Sequence, residues 1–282
     1  MKVDCHMHMV LDAVYWKDAI ARHSGAVDMP FIHRTLETYR RQGYMYLRDG
    51  GDRWGVGAAA RAVAGNYGIT YRTPLAPLCC KGHYGSFIGL TYENMKEYAA
   101  LVIRQRQQGA DFIKIMISGL MDFDRFGVLT EEGLPPAQIR ELVHIAHEEG
   151  FAVMAHANGP RTIEAAAASG VDSVEHGAYA DEAALAAMAQ QGTVWVPTLS
   201  TVGNLRGKGR FCEAAVNKIL ESTMENVGRY TAMGGLIACG SDAGAWSVAH
   251  AMDTEQALLY RAIGPGAEQV LSQGNRRIME KF

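Results

Sequence analysis

Short apolar runs alternate with longer amphipathic stretches along this chain, and this alternation constrains the fold more than any other feature. Each run has the length of a β-strand. Continuous apolar runs such as residues 112–117 are typical of strands that are buried on both faces of a parallel sheet. Eight strands are predicted, at residues 2–8, 44–48, 69–77, 112–118, 152–156, 173–176, 193–197 and 236–241.

Amphipathic segments between these runs have clear helix signals. One is predicted to begin with Thr91 as its N-cap and to end at Gly109. A second opens at Pro135-Pro136 and ends at Gly150, and a third covers residues 181–191. Eight strand–helix units suit the roughly 250 residues of a typical TIM (β/α)8 barrel. We therefore predict an α/β barrel that forms one domain over residues 1–282, with a doubly wound open sheet as the alternative.

Composition narrows the class of function. The formal net charge is −3 and no basic stripe is present, so neither nucleic acid nor a membrane is an expected partner. No apolar run is long enough for a signal peptide or a transmembrane span. Five scattered cysteines without CxxC spacing do not resemble a disulfide framework. We expect a cytoplasmic enzyme with reduced thiols that acts on a small molecule. A homo-oligomer is a possible state of assembly.

Two histidines lie at the end of the first predicted strand. Because side chains alternate along a strand, Asp4, His6 and His8 are expected on one face, with Cys5 and Met7 on the other. Two imidazoles at one strand end are able to grip one metal ion. A pair of ordinary polar residues at a strand end is the alternative interpretation.

Lys114 stands alone inside an apolar strand. A buried lysine must be paired, neutral or modified, because an isolated buried charge is costly. A neutral amine at this place can react with CO2 to form a carbamate, whose oxygens can bridge two cations. A lysine that pairs with one acid or extends to solvent is the alternative.

The remaining ligand candidates are His156, His176 and Asp242. Each comes at the end of a short apolar run, just before a turn that contains glycine. Each alone also fits a structural role, such as a capping aspartate. Together with the first strand and Lys114, however, they occupy the C-terminal ends of five predicted strands. Catalytic groups of a (β/α)8 barrel come from that end.

These residues resemble a known family. The order HxH, Lys, His, His, Asp is similar to the amidohydrolase superfamily, in its binuclear subtype with a carboxylated lysine. Shorter segments resemble its imidazolonepropionase-like and Xaa-Pro-dipeptidase-like branch. They are Leu47-Arg48-Asp49-Gly50-Gly51, Lys81-Gly82-His83, Phe112-Ile113-Lys114 with Ser118-Gly119, His156, Glu175-His176-Gly177, Val196-Pro197-Thr198-Leu199 and Gly240-Ser241-Asp242-Ala243-Gly244.

Two features depart from the family pattern. Members usually carry a small β-sandwich domain built from both termini, and this sequence is expected to lack it. The branch often has His-Ala-His-Gly after the fifth strand, whereas Asn158 takes the place of the second histidine here. The specificity is therefore expected to differ.

The resemblance implies a mechanism. His6, His8 and Asp242 hold one divalent ion, and His156 and His176 hold another. Lys114, as a carbamate derived from CO2, bridges both together with a hydroxide that attacks the scissile carbonyl. Asp242 is the catalytic residue that moves the proton. Zinc is the expected metal, with manganese, iron or cobalt as alternatives.

Four residues are weaker candidates for substrate contacts: His83, Tyr179, His250 and Arg48, the last of which pairs with a carboxylate of substrate or protein. His144 and His147 are expected on a solvated helix face, outside the site.

The leading function is hydrolysis of an amide-type C–N bond, in a cyclic amide or in a dipeptide-like or N-acyl compound. A deaminase of a nitrogen heterocycle is the second possibility, although the HxxE helix of such deaminases is missing after His156. A lactonase is the third. A ligand-binding barrel without catalysis is the non-enzyme alternative.

Overall fold

The computed structural model describes residues 2–282. Its strands are parallel and lie in two sheets, with the orders β1-β2-β3 and β10-β9-β8-β7-β6-β4-β5. The strands are β1 (Lys2–Met7), β2 (Tyr44–Asp49), β3 (Thr70–Arg72), β4 (Leu78–Cys80), β5 (Leu90–Tyr92), β6 (Ile113–Met116), β7 (Val153–Ala157), β8 (Ser173–His176), β9 (Val194–Val196) and β10 (Leu236–Ile237).

The two sheets meet along β1. The backbone N–H of Cys5 donates to Cys239 O over 2.8 Å, and that of His8 donates to Ala243 O over 2.7 Å. These bonds link β1 to the segment that follows β10. At the other seam, Asp111 N–H, just before β6, donates to Thr73 O, just after β3, over 3.0 Å. The architecture is TIM-barrel-like, as predicted.

Eight barrel positions correspond to the eight predicted strands. The third position is divided, because β3, within the predicted residues 69–77, pairs with β2, whereas β4 begins only at Leu78 and pairs with β6. The eighth strand, predicted over residues 236–241, is shorter, because β10 ends at Ile237. β5 is an additional strand that pairs with β4. All strands of residues 2–282 belong to these two sheets, so this part of the chain forms no separate β-sandwich.

Helices cover the outside of the sheet. They are α1 (Trp16–Ala21), α2 (Met29–Arg41), α3 (Val56–Ala64), α4 (Met95–Gln107), α5 (Pro136–Glu148), α6 (Pro160–Ala168), α7 (Glu182–Gln191), α8 (Ser200–Gly203), α9 (Glu213–Ala232), α10 (Thr254–Ile263) and α11 (Ala267–Lys281). No helix among residues 2–282 combines the length and the apolar character needed to cross a membrane.

The predicted helix ends are mostly right. Helix α5 follows Pro135, and α7 is capped by Asp181, whose side chain accepts a hydrogen bond from Ala184 N–H. The predicted start of α4 at Thr91 is wrong. Thr91 lies in β5, and the N-cap is Asn94, whose side chain accepts from Glu97 N–H.

The first strand does not alternate in the simple way that the sequence suggests. Its pairing with β2 shifts register between Asp4 and Met7. Cys5 therefore packs into an apolar cluster with Val3 and Met154. The Asp4 carboxylate instead accepts hydrogen bonds from Tyr39 and Ser241, so the prediction that Asp4 shares a face with the two histidines is wrong.

Candidate metal centre and active-site cavity

His6, His8 and Asp242 form a compact cluster at the C-terminal end of β1. Their ligand atoms all lie within 4.8 Å of one another. The two Nε2 atoms are 3.4 Å apart, and Asp242 Oδ1 lies 3.5 Å from His6 Nε2 and 3.3 Å from His8 Nε2. Two imidazole nitrogens and a carboxylate oxygen are a donor set that suits a divalent transition metal.

Backbone strain accompanies two of the predicted ligands. His176 has φ = 67° and Asp242 has φ = 58°, both in the left-handed region that residues other than glycine rarely adopt. Hydrogen bonds hold this backbone in place, since Asp242 N–H donates to His6 O over 2.6 Å. Such strain is often found where a side chain is aimed at a functional centre.

Three more predicted ligands surround this cluster. Lys114 Nζ lies 3.1 Å from His6 Nε2 and is buried. The ring centre of His176 lies 5.1 Å from that of His6 and 4.6 Å from that of His156. The structure thus brings all six predicted ligand residues together, from the ends of β1, β6, β7, β8 and the segment after β10.

Other residues fix the orientation of the two later histidines. Thr198 Oγ1 lies 2.7 Å from His176 Nδ1, which leaves His176 Nε2 for another partner. His156 Nε2 lies 3.2 Å from Gly119 O and 3.4 Å from the side-chain amide nitrogen of Asn158. Asn158 also spans the neighbouring turn, because its Oδ1 accepts from Ala178 N–H.

Burial shifts the pKa values of these groups towards their uncharged forms. It lowers the pKa of His156 to about 3, with the Lys114 charge as a further cause. Burial is also the main cause that places the pKa values of His6 and His176 well below the usual range. The pKa of Lys114 falls to about 8 for the same reason, although Glu175 and Asp242 oppose the change. Neutral imidazoles retain the lone pairs that metal coordination requires.

Arg48 lies below this centre and does not reach the substrate cavity. Its guanidinium is fully buried and donates to Cys5 O, Ser173 Oγ and Glu175 Oε1, over 2.6, 3.0 and 2.9 Å. The other oxygen of Glu175 is 2.7 Å from His6 Nδ1. The prediction of Arg48 as a substrate residue is therefore corrected, because its carboxylate partner belongs to the protein.

The other weak candidates also lie outside the cavity wall. The His83 ring is partly exposed beside Glu131, 3.6 Å away. The Tyr179 ring packs against Phe126. His250 is held from both sides, with Nε2 2.9 Å from Leu11 O and Nδ1 3.3 Å from the Tyr39 hydroxyl. His144 and His147 lie on the exposed side of α5, as expected.

A cavity of about 690 Å³ opens above the ligand cluster. His8, Lys114, His156, His176 and Asp242 line its floor. Its volume lies within the roughly 300–1,000 Å³ that is common for small-molecule sites.

Aromatic side chains form two walls of this cavity. In the first, Trp16 packs on Phe87 at 5.3 Å between ring centres, and Phe87 packs on Tyr84 at 5.7 Å. Tyr84 then reaches the His156 ring at 4.9 Å. The second wall consists of Phe123, Phe211 and Trp246.

Sequence reasoning missed Glu175 and both aromatic walls. A glutamate beside His176 in a buried strand was a usable signal, because a buried acid needs a cationic or hydrogen-bonding partner. The wall residues come from the start of α1 and from four separate loops, and no local spacing connects them.

Comparison with known proteins agrees with this geometry. Residues 53–272 match the Amidohydrolase family, so the chain belongs to that family, as its resemblance suggested. An ochratoxinase of Aspergillus niger is 26% identical over 240 residues, which cover 71% of this chain and 47% of the relative. The chain thus spans about half the length of the curated relatives it matches.

Solved structures share the fold. A Xaa-Pro dipeptidase with methionine bound in its active site matches 99% of this chain and 75% of its own, with 20% identity and a TM-score of 0.78. The A. niger ochratoxinase structure matches 95% of this chain and 68% of its own, with 22% identity and a TM-score of 0.76. At these identities the likeness establishes the TIM-barrel-like fold.

Proposed function

We propose that this protein is a metal-dependent hydrolase that cleaves an amide-type C–N bond of a small molecule, in a dipeptide-like or N-acyl compound or in a cyclic amide. The observation that carries the proposal is the convergence of five ligand-type side chains on the floor of one cavity, with the sixth, His6, in contact with His8, Lys114 and Asp242. Family membership and the names of the relatives, an ochratoxinase and a Xaa-Pro dipeptidase, support this choice of bond.

The donor set fits two divalent ions, zinc being the expected metal. His6, His8 and Asp242 would hold the first, and His156 and His176 the second. Lys114, carboxylated by CO2, would be shared by both. Ions bound there would supply an acidified water and a Lewis acid for the substrate carbonyl.

The residues of the chain have separate tasks in this proposal. Asp242 accepts the proton of the attacking water on its carboxylate and returns it to the departing nitrogen. Glu175 fixes the His6 tautomer through Nδ1, so that Nε2 faces the centre. The aromatic walls exclude water and hold apolar parts of the substrate, which strengthens the electrostatic interactions at the floor.

The direct test is hydrolysis by protein reconstituted with zinc and bicarbonate. We expect chelator-sensitive cleavage of N-acyl amino acids or dipeptides, assayed by release of the free amine. Asp242→Asn should lower kcat by roughly 10²–10⁴-fold because the proton acceptor is lost. Asp181→Asn makes the same chemical change at the N-cap of α7, away from the cavity, and should keep full activity.

Three results would count against the proposal: no cleavage of any amide, cleavage that survives removal of the metals, or normal turnover by Asp242→Asn. Cleavage of a lactone alone would replace amide hydrolysis with esterase chemistry at the same centre.

A further inference from the structure

Arg210 is a cation at the rim of the active-site cavity, on the second aromatic wall. Its guanidinium carbon lies 4.2 Å from the centre of the Trp246 ring and 5.2 Å from that of Phe211. All three residues line the cavity. Stacking on two rings restricts the planar guanidinium and leaves its N–H groups free at the edges.

The acidic residues of the same rim are already engaged. Asp122 Oδ2 accepts from Arg125 Nε over 2.7 Å, and Asp124 Oδ1 accepts from Cys212 N–H over 2.7 Å. Within residues 2–282, Arg210 forms no ion pair with a carboxylate. Arg48, Arg61 and Arg229, by contrast, each contact a carboxylate at 2.5–2.9 Å. The cavity therefore offers one oriented cation whose donors are available to a ligand.

A neighbouring segment connects this cation to the floor. Trp246 belongs to the same short segment as Asp242, and Ala245 N–H donates to Asp242 O over 3.0 Å. Asp242, Trp246 and Arg210 line one cavity, so a substrate whose amide lies over Asp242 has room to extend along the Trp246 ring towards Arg210. A bidentate arginine favours a planar anion such as a carboxylate.

We propose that Arg210 binds a carboxylate on the amine side of the substrate, so that the enzyme prefers N-acyl amino acids with a large apolar or aromatic side chain. This inference rests on the proposed amide hydrolysis. The side chain packs on Phe211 and Trp246, and the acyl group packs on the wall of Trp16, Phe87 and Tyr84. Arg210 is then a specificity residue that distinguishes acids from neutral amides of the same shape.

The test measures binding separately from hydrolysis. Two ligands are used with zinc-loaded protein: the ketomethylene isostere of N-benzoyl-L-phenylalanine, in which CH2 replaces the amide N–H, and its carboxamide. Neither contains the scissile bond. Calorimetry should show that the wild type binds the acid about tenfold more tightly than the carboxamide, as expected for one charged hydrogen-bonded contact near solvent.

Arg210→Met keeps an apolar stem against the rings and removes the charge. It should abolish the preference for the acid and leave carboxamide affinity unchanged, while Arg210→Lys should retain part of the preference. Arg206→Met is the matched control, since Arg206 is exposed in the same loop and does not line the cavity. It should keep the tenfold preference.

The inference is overturned if the wild type binds neither ligand or binds both equally. It is also overturned if the Arg210→Met variant still prefers the acid. Hydrolysis of N-benzoyl-L-phenylalanine is measured in parallel. If the wild type hydrolyses this compound but shows no preference for the acid, the role of Arg210 is refuted and the proposed reaction stands. An intact preference without any hydrolysis supports the carboxylate contact and counts against the proposed reaction.

Discussion

Replacement of Glu175 by glutamine tests how the barrel floor supports the candidate metal centre. Glu175 is fully buried, and its carboxylate joins Arg48 at 2.9 Å to His6 at 2.7 Å. Glutamine preserves the shape but removes the charge. Arg48 then remains buried without an anionic partner, and His6 Nδ1 loses its carboxylate.

Two separate losses follow from this geometry. Breaking one partner of a buried ion pair costs about 3–5 kcal/mol of unfolding free energy, because the other charge stays buried and unpaired. Loss of the carboxylate behind a ligand histidine lowers metal affinity by roughly 10–100-fold. The first loss depends on Arg48 and the second on His6, so they can be separated.

Urea unfolding of the metal-free protein gives the first quantity, and zinc titration against a competing chelator gives the second. The double variant Arg48→Met with Glu175→Gln removes both buried charges. We expect it to recover most of the unfolding free energy and to keep the weakened zinc affinity. If the double variant is no more stable than Glu175→Gln, or if zinc affinity is unchanged in both, the reasoning is wrong.

Two further predictions concern the packing and the buried charge near this centre. A Cβ at Gly240 would lie 2.7 Å from His6 N and 2.5 Å from Val196 Cγ1, so Gly240→Ala should lower the free energy of unfolding in urea by about 1–3 kcal/mol. Gly65 has open space around it, so Gly65→Ala should leave this free energy unchanged, and equal effects of the two variants would contradict the prediction. Burial raises the pKa of Glu255 from 4.5 to about 8, so the folded chain keeps a proton that the unfolded chain releases, and stability falls between these pH values by at most about 1.4 kcal/mol per pH unit. Glu255→Gln should flatten the slope in unfolding measured from pH 6 to 8, where Asp4 and Asp49, with pKa values of about 6, contribute little, and an unchanged slope there would refute the assignment.

The ends of the strands were readable from the sequence because the signal there is local. A polar ligand residue that interrupts a short apolar run predicts both a strand and its end, and this holds for His156 and His176. It fails for Asp242, because β10 ends at Ile237 and Asp242 lies in the segment that follows. The structure places these side chains around one point, as parallel barrel strands require.

Orientation within the barrel was harder to read. The register shift in β1 depends on pairing with β2, so simple alternation gave the wrong face for Asp4. The sequence around Arg48 predicts a carboxylate partner but does not distinguish a substrate carboxylate from that of a buried glutamate. Only its position beneath His6 and beside Glu175 separates the two.

The aromatic walls and Arg210 could not be predicted at all. Their members are brought together by loops whose relative positions depend on the whole barrel, as the contact between Tyr84 and His156 illustrates. The predicted start of α4 was wrong for a different reason. Thr91 and Asn94 are both suitable caps, and the pairing of β5 with β4 decides between them.

The most direct measurement of the central claim is metal content per chain, determined by elemental analysis of wild type and Lys114→Ala after loading with zinc and bicarbonate. We expect about two ions per chain in the wild type and at most about one in Lys114→Ala, because the shared ligand is lost. Lys96→Ala, at an exposed position of α4, should keep both ions. Two ions in Lys114→Ala would remove the bridging role, and a wild type that binds no metal would contradict the account.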